Sequence, residues 1–215
     1  MEKLLSDWRT KRGLLLFVLA ALIGSGIWAI YMGKALSFRA ITGFHTLATD
    51  LFFKNITHLG DGIFILALAA VLAIFRKYFL SIGAVAGYLL SGIFAQIGKR
   101  LIEAPRPKAF FEAMGETVYQ IPGVNVHLAK SFPSGHTASV FALAVFLMLA
   151  LPYRWYSWLI LPGAFLVGYS RIYVSQHFPV DVVAGALIGS FSGAAVFFWL
   201  KSRSERRVLS NHSAG

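Results

Sequence analysis

The sequence predicts an all-α fold, a polytopic membrane helix bundle of six transmembrane helices with an amphipathic helix lying at the interface. Three observations carry that expectation. Of 215 residues, 57% are hydrophobic and 13% are charged, whereas about 25% of residues in a soluble domain are charged. Six apolar segments reach or approach the ~20 residues that a helix needs to cross a bilayer. The basic residues fall in short connections and at segment ends, so the net charge of +11 reads as membrane topology and excludes a nucleic-acid-binding patch.

The first segment runs from Leu14 to Gly33 behind a basic stretch. It exceeds the ~7 to 15 apolar residues of a secretory signal core, so it is expected to be retained as a first span. Between Lys34 and Asn55, Phe38, Ile41, His45, Ala48 and Phe52 recur at three-to-four spacing among polar residues, the pattern of an interfacial helix. The second segment, Ile56 to Phe75, is strictly apolar only from Gly62, which leaves Asp61 at a membrane edge. The others are Phe79 to Gly98, His136 to Leu151, Trp155 to Tyr169 and Val180 to Leu200. The fourth and fifth are short, so their ends belong in the interface. Gly83, Gly87 and Ser91, and again Gly185, Gly189 and Gly193, form small-residue ridges that let helix backbones approach closely. Residues 1–200 read as one transmembrane domain, and 201–215 as a polar tail that frays. There is no cysteine, which removes disulfide and thiolate chemistry.

Orientation follows from the cations. Eleven of the twenty Lys and Arg residues lie on the side shared by both termini, the second-to-third loop and the fourth-to-fifth loop, Arg154 among them. The other side has nine over much longer loops. Both termini are therefore expected in the cytoplasm of a plasma (inner) membrane protein.

Three clusters lie where apolar segments meet the opposite side. Lys99 is followed after six residues by Arg106-Pro107; the fourth segment opens with Pro133-Ser134-Gly135-His136; and Ser170-Arg171 leads through five residues to His177 and then to Asp181. Lys99, Arg106 and Arg171 bring three positive charges to one membrane face, where they repel one another unless an anion sits among them. Guanidinium forks match phosphate oxygens and an ammonium adds a compact charge. Pro105 and Pro107 hold the backbone of Arg106 extended. Ser134 suits an N-cap and Gly135 leaves room for a substrate, so the positive end of the fourth helix faces the same anion. Cleaving a phosphate ester needs a nucleophile at phosphorus and a proton for the departing oxygen, and imidazoles can supply both. With a helix starting near Pro179, Asp181 can reach back to one nitrogen of His177 and leave the other free to attack. His136 is then left to protonate the leaving oxygen.

These three stretches resemble the signature motifs of the type 2 phosphatidate phosphatase superfamily, which also contains vanadium-dependent haloperoxidases. Every fixed position matches, although the motifs cover only about a tenth of the chain. The resemblance implies a lipid phosphate phosphatase with a phosphohistidine on His177 oriented by Asp181, with His136 as acid. Lys99, Arg106, Ser134, Gly135 and Arg171 are then the phosphate ligands, and neither metal nor cofactor is required. It also implies a membrane lipid as substrate, such as undecaprenyl diphosphate, phosphatidylglycerol phosphate, phosphatidate or a lipid A phosphate, reached from the periplasmic or exterior side. A lipid-to-lipid phosphotransferase satisfies the same motifs. An anion channel or transporter fits less well, because it needs neither the two imidazoles nor the carboxylate and would place its charges near the midplane. The haloperoxidase branch is generally soluble and fits least. Outside the motifs, His58 and Asp61 read as interfacial polar residues, and Glu103, Glu112 and Glu116 as solvating loop carboxylates that would repel a phosphate.

Overall fold

A computed structural model of the chain describes residues 2–152 and 157–213, and every regular element among them is helical. Helix α1 spans Glu2–Thr42 and bends at Gly33, whose φ of 72° lies in the left-handed region that glycine enters without steric cost. The chain then breaks at 43–46 and resumes as α2, Leu47–Ile56. The expected single interfacial helix is thus two pieces, the end of α1 and α2, with His45 in the break. The break has a local cause. Thr49 N donates to Thr46 Oγ1 at 3.2 Å while Thr46 N donates to Thr49 Oγ1 at 3.0 Å, a reciprocal capping box that starts a new helix.

A 3₁₀ turn, Thr57–Gly60, links α2 to α3, Gly62–Ile74, with a bend of 59° between the two arms. The apolar run starting at Gly62 is therefore where the helix starts, with Asp61 in its N-cap position. Then come α4, Tyr78–Leu101, the short α5, Pro107–Glu112, and α6, Gly135–Ala150. Helix α7, Ser157–Tyr173, and α8, Pro179–Ser213, complete the bundle. Two boundaries differ from expectation. Helix α7 runs past Tyr169 to place Ser170 and Arg171 in its last turns, and α8 continues through the basic stretch that the sequence reads as a fraying tail. Residue 155, the expected start of the fifth segment, and Arg154 lie outside the described residues.

Three helical stretches, Trp8–Thr42, Tyr78–Leu101 and Pro179–Arg206, are long and apolar enough to cross a membrane. The bent α2–α3 pair makes a fourth if taken as one span, and Gly135–Ala150 and Leu159–Tyr173 are shorter apolar helices. At 1.5 Å per residue, the 16 residues of α6 reach only about 24 Å, short of a hydrocarbon core of about 30 Å. This helix is enclosed by protein instead. It is apolar on every side and nearly all of it is buried, with α8, α4 and α7 packed around it.

The close fit of α6 and α8 rests on the glycine ridge. A Cβ at Gly185, Gly189 or Gly193 would lie 2.4, 2.3 and 2.3 Å from the carbonyl oxygens of Ser134, Ala138 and Ala142, so nothing larger than hydrogen fits there. Across α6, a Cβ at Gly83 of α4 would lie 1.8 Å from Cζ of Phe146, deep within its van der Waals surface. At the end of α6 remote from His136, Lys11 of α1 donates from Nζ to the carbonyls of Leu149 and Leu151 at 3.2 and 2.6 Å, satisfying acceptors that the helix itself leaves open.

A polar hub ties the other end together. Asp50 of α2 accepts from the hydroxyls of Tyr119 and Tyr173, each at 2.8 Å, and His45 Nδ1 lies 2.9 Å from its Oδ1. Lys54 Nζ donates to the Pro122 carbonyl at 2.9 Å. Through these bonds the long α5–α6 loop is fastened to α2 and α7, forming one wall of the pocket.

Candidate active site

A pocket of about 390 Å³ opens where the ends of α4, α6 and α7 meet the 3₁₀ turn, and its walls include Lys99, Arg106, Gly135, His136, Arg171 and His177. Residues up to 123 positions apart in sequence, Lys54 and His177, therefore face one space. Ser134 and Asp181, the remaining motif residues, are buried behind the wall. All eight predicted residues gather here, six on the surface of the pocket and two supporting it.

Each arrives by a local cause. Arg106 is extended (φ −80°, ψ 164°) between its two prolines, and Pro107 occupies the first turn of α5. The guanidinium of Arg106 is fixed from behind: Nε donates to the Ala129 carbonyl at 3.0 Å, and Nη1 to the side-chain and backbone oxygens of Gln176 at 2.6 and 3.2 Å. Gln176 in turn donates to the Asn125 carbonyl at 2.9 Å. Arg171 Nη1 donates to Thr57 Oγ1 at 2.6 Å, whereas its Nε is buried without a partner. Lys99 extends from the last turn of α4 toward the start of α6; a Cβ on Gly135 would lie 3.7 Å from its Nζ.

Ser134 is the N-cap of α6 by position, yet its side chain makes no capping bond. Its Oγ instead accepts from Thr137 Oγ1 at 2.9 Å, and its amide donates to the Asp181 carbonyl at 3.0 Å. The first-turn amides of α6 are thus left without a side-chain cap, beside three cations and at the positive end of a helix. Anions are held well by such a setting.

The partner of His177 differs in detail from expectation. Helix α8 begins at Pro179 as predicted, but His177 Nδ1 and Asp181 Oδ2 stand 3.7 Å apart, an ion-pair distance beyond hydrogen bonding. Asp181 Oδ2 is engaged by Ser131 Oγ at 2.5 Å and by the Phe178 amide at 2.9 Å. Two atoms are left buried and unpaired, His177 Nδ1 and Asp181 Oδ1. A small rotation bringing them within about 3 Å would satisfy both. Burial, reinforced by the nearby cations of Arg171 and Arg106 and opposed by Asp181, pushes the His177 imidazole down to about 3. The ring is therefore neutral near pH 7, as a nitrogen nucleophile must be.

Several residues of the pocket and its support were not legible in the motifs. Ser131, Thr57 and Gln176 each hold a charged motif side chain. Asp61, read from sequence as an interfacial polar residue, lies 2.6 Å through Oδ1 from His136 Nε2, and its Oδ2 lies 2.8 Å from His58 Nδ1. The available signal for Asp61 was its position just before an apolar run, and that pattern reads as an ordinary helix cap.

With the geometry in place, known proteins bear on it. The PAP2 superfamily profile matches residues 78–205. A lipid A 4'-phosphatase of Bacteroides thetaiotaomicron is 46% identical over 67 residues, 31% of this chain and 30% of that protein. An undecaprenyl-diphosphatase of Sulfolobus acidocaldarius is 34% identical over 123 residues, 57% of this chain and 56% of the relative. The matched stretch thus spans from under a third to just over half of these relatives. The crystal structure of Aquifex aeolicus LpxE superposes with a TM-score of 0.60 at 31% identity, covering 74% of this chain and 91% of that one. A PAP2 type phosphatidylglycerolphosphate phosphatase from Bacillus subtilis shares the fold, with a TM-score of 0.60 at 23% identity over 96% and 98% of the two chains. On the profile match across more than half its length and the likeness to LpxE, this integral membrane protein belongs to the PAP2 superfamily.

Proposed function

We propose that the protein is a lipid phosphate phosphatase that works through a phosphohistidine on His177. The observation that carries this reading is the convergence of the motif imidazoles His136 and His177 and the motif cations Lys99, Arg106 and Arg171 on one pocket. Lys99, Arg106 and Arg171, with the uncapped amides at the start of α6, hold the phosphoryl oxygens and stabilise charge in the transferring group. Nε2 of neutral His177 attacks phosphorus. As the P–N bond forms, the P–O bond to the lipid breaks, its electron pair goes to the departing oxygen, and His136 delivers a proton there. Water then attacks the phosphohistidine, giving a proton to His136, and the P–N bond breaks to return His177. Asp181 steadies the charged ring between the two steps.

The substrate in this reading is a phosphate or diphosphate on a membrane lipid, the chemistry shared by the lipid A and undecaprenyl phosphatases that the chain is similar to. The same reading has six crossings, with α6 and α7 as short spans, and a pocket at the non-cytoplasmic surface, the side that the distribution of Lys and Arg favours, where a lipid headgroup reaches it laterally. Purified full-length protein in detergent should release inorganic phosphate from one or more of undecaprenyl diphosphate, phosphatidylglycerol phosphate, phosphatidate and lipid A. His177→Gln and His136→Gln should each lose release by at least ~10³-fold while eluting as the native protein does. Radiolabel from substrate should appear on wild-type protein as an acid-labile, alkali-stable adduct and be missing from His177→Gln. Unimpaired release by His177→Gln would refute the nucleophile assignment.

A further inference from the structure

The carboxylate of Asp61 does something its position does not demand. An Asp at a helix N-cap ordinarily accepts from the second or third amide of that helix, but Asp61 makes no such bond to α3. Its two oxygens go to imidazoles instead: Oδ1 to His136 Nε2 at 2.6 Å and Oδ2 to His58 Nδ1 at 2.8 Å. The neighbouring residue lets this happen. A Cβ on Gly60 would lie 2.9 Å from the His136 carbonyl oxygen, 3.0 Å from His136 Cβ and 3.1 Å from Val167 Cγ1. Only a residue without a side chain lets the 3₁₀ turn press onto the start of α6 and hold Asp61 against the ring.

Resting on the reading of His136 as the proton donor, we propose that Asp61 is the positioning residue of that donor, holding His136 through Nε2 so that Nδ1 serves the substrate, with His58 bracing the carboxylate from outside. His136 Nδ1–H gives its proton to the lipid oxygen as the P–O bond breaks, leaving a neutral ring still bonded through Nε2–H to Asp61. In the second half-reaction Nδ1 takes the proton from attacking water. The pocket thus holds two histidine–carboxylate pairs, His177 with Asp181 for nucleophilic attack and His136 with Asp61 for proton transfer. The charged and titratable groups that share the pocket with His136 are Lys54 from α2, His58 and Asp61 from the turn, Lys99 from α4, Arg106 and His127 from the α4–α6 connection, Arg171 from α7 and His177 before α8. Asp61 is the anion among them that touches the ring, 2.6 Å from Nε2, and its charge is opposite to that of the surrounding cations.

The test compares two substrates that differ in their need for an acid: dioctanoyl phosphatidate, with an alkoxide leaving group, and p-nitrophenyl phosphate, whose phenolate leaves without a proton. In purified full-length enzyme, Asp61→Asn should lower kcat on phosphatidate by about 10²-fold with little change in KM, and lower nitrophenyl turnover by less than about tenfold. The alkaline limb of its kcat profile should move about one unit toward acid, because the imidazolium loses its anion. Asp61→Glu should restore part of the loss, and Gly60→Val, which leaves every charge in place, should reproduce the substrate split. Equal loss on both substrates, or an unmoved alkaline limb, would overturn the proposal even if His136→Gln is inactive on phosphatidate. Full activity of His136→Gln on phosphatidate would overturn the proton-donor reading and this inference with it.

Discussion

Arg106 illustrates how a charged residue becomes a rigid tool. Its guanidinium is held by three acceptors, from Ala129 and Gln176, leaving the remaining donors to face the pocket. Lysine at this position keeps the charge but cannot reproduce a planar fork, so Arg106→Lys should cost roughly 10² in kcat/KM for a lipid phosphate, and Gln176→Ala should raise KM with a smaller loss of kcat. A different measurement reports His177. Its ordinary value is near 6.5 and burial lowers it to about 3 in the fold, so as pH falls the unfolded chain takes the proton before the folded one does. The stability tied to this group is fully present above pH 6.5 and is lost progressively toward pH 3, at no more than about 1.4 kcal/mol per pH unit. Unfolding followed at pH 7, 5.5 and 4.5 should show a steeper acid loss for the wild type than for His177→Gln; parallel curves would contradict the neutral buried ring. The motif residues were legible because ionisable groups are costly in an apolar chain and their spacing is fixed. Asp61 was not, because nothing in the sequence says that a turn 75 positions before His136 folds back onto it.

The helices show the same division between what hydropathy reveals and what packing decides. Long apolar runs marked α1, α4 and α8, and the small-residue ridges marked which faces meet. Boundaries were harder to read where a few polar atoms set them. The 43–46 break depends on a capping box made by two threonines in place of the more recognisable Thr–Glu pair. Arg171 lies inside α7, where its guanidinium donates to Thr57. The α5 turn was missed because six residues, Pro107–Glu112, are too few to show a period. The ridge yields a quantitative expectation. A methyl on Gly189 would sit 2.3 Å from the Ala138 carbonyl oxygen and 2.8 Å from Phe141 Cβ, and neither backbone can yield without parting α6 from α8. Gly189→Ala should therefore destabilise by about 1–3 kcal/mol, read as a lowered midpoint of denaturation in detergent. Gly24→Ala in α1, where a Cβ meets nothing within 4 Å, should be neutral or stabilise by up to about 1 kcal/mol.

Across the bundle, charge is sorted toward two ends with different tasks. At one end, cations converge on a pocket and are held by neutral acceptors and buried carboxylates. At the other, Lys11 closes the far end of α6, and Lys201, Arg203 and Arg206 continue along α8 beyond the apolar stretch, with Arg203 over the face of Trp199. Lys and Arg flanking an apolar segment at a membrane edge are the signal that retains that edge in the cytoplasm, whereas those of the pocket are engaged in a site and carry less topological weight. The end bearing Lys11 and the tail is therefore expected inside, and the pocket outside. The absence of native cysteine makes this directly measurable. Thr117→Cys places an exposed thiol on the loop that walls the pocket, and Ser204→Cys places one on the exposed extension of α8. In intact cells a membrane-impermeant maleimide should label Thr117→Cys and should reach Ser204→Cys only after permeabilisation. The reverse pattern would put the pocket in the cytoplasm, and labelling of both from one side would require an odd number of crossings between α5 and the tail to become even.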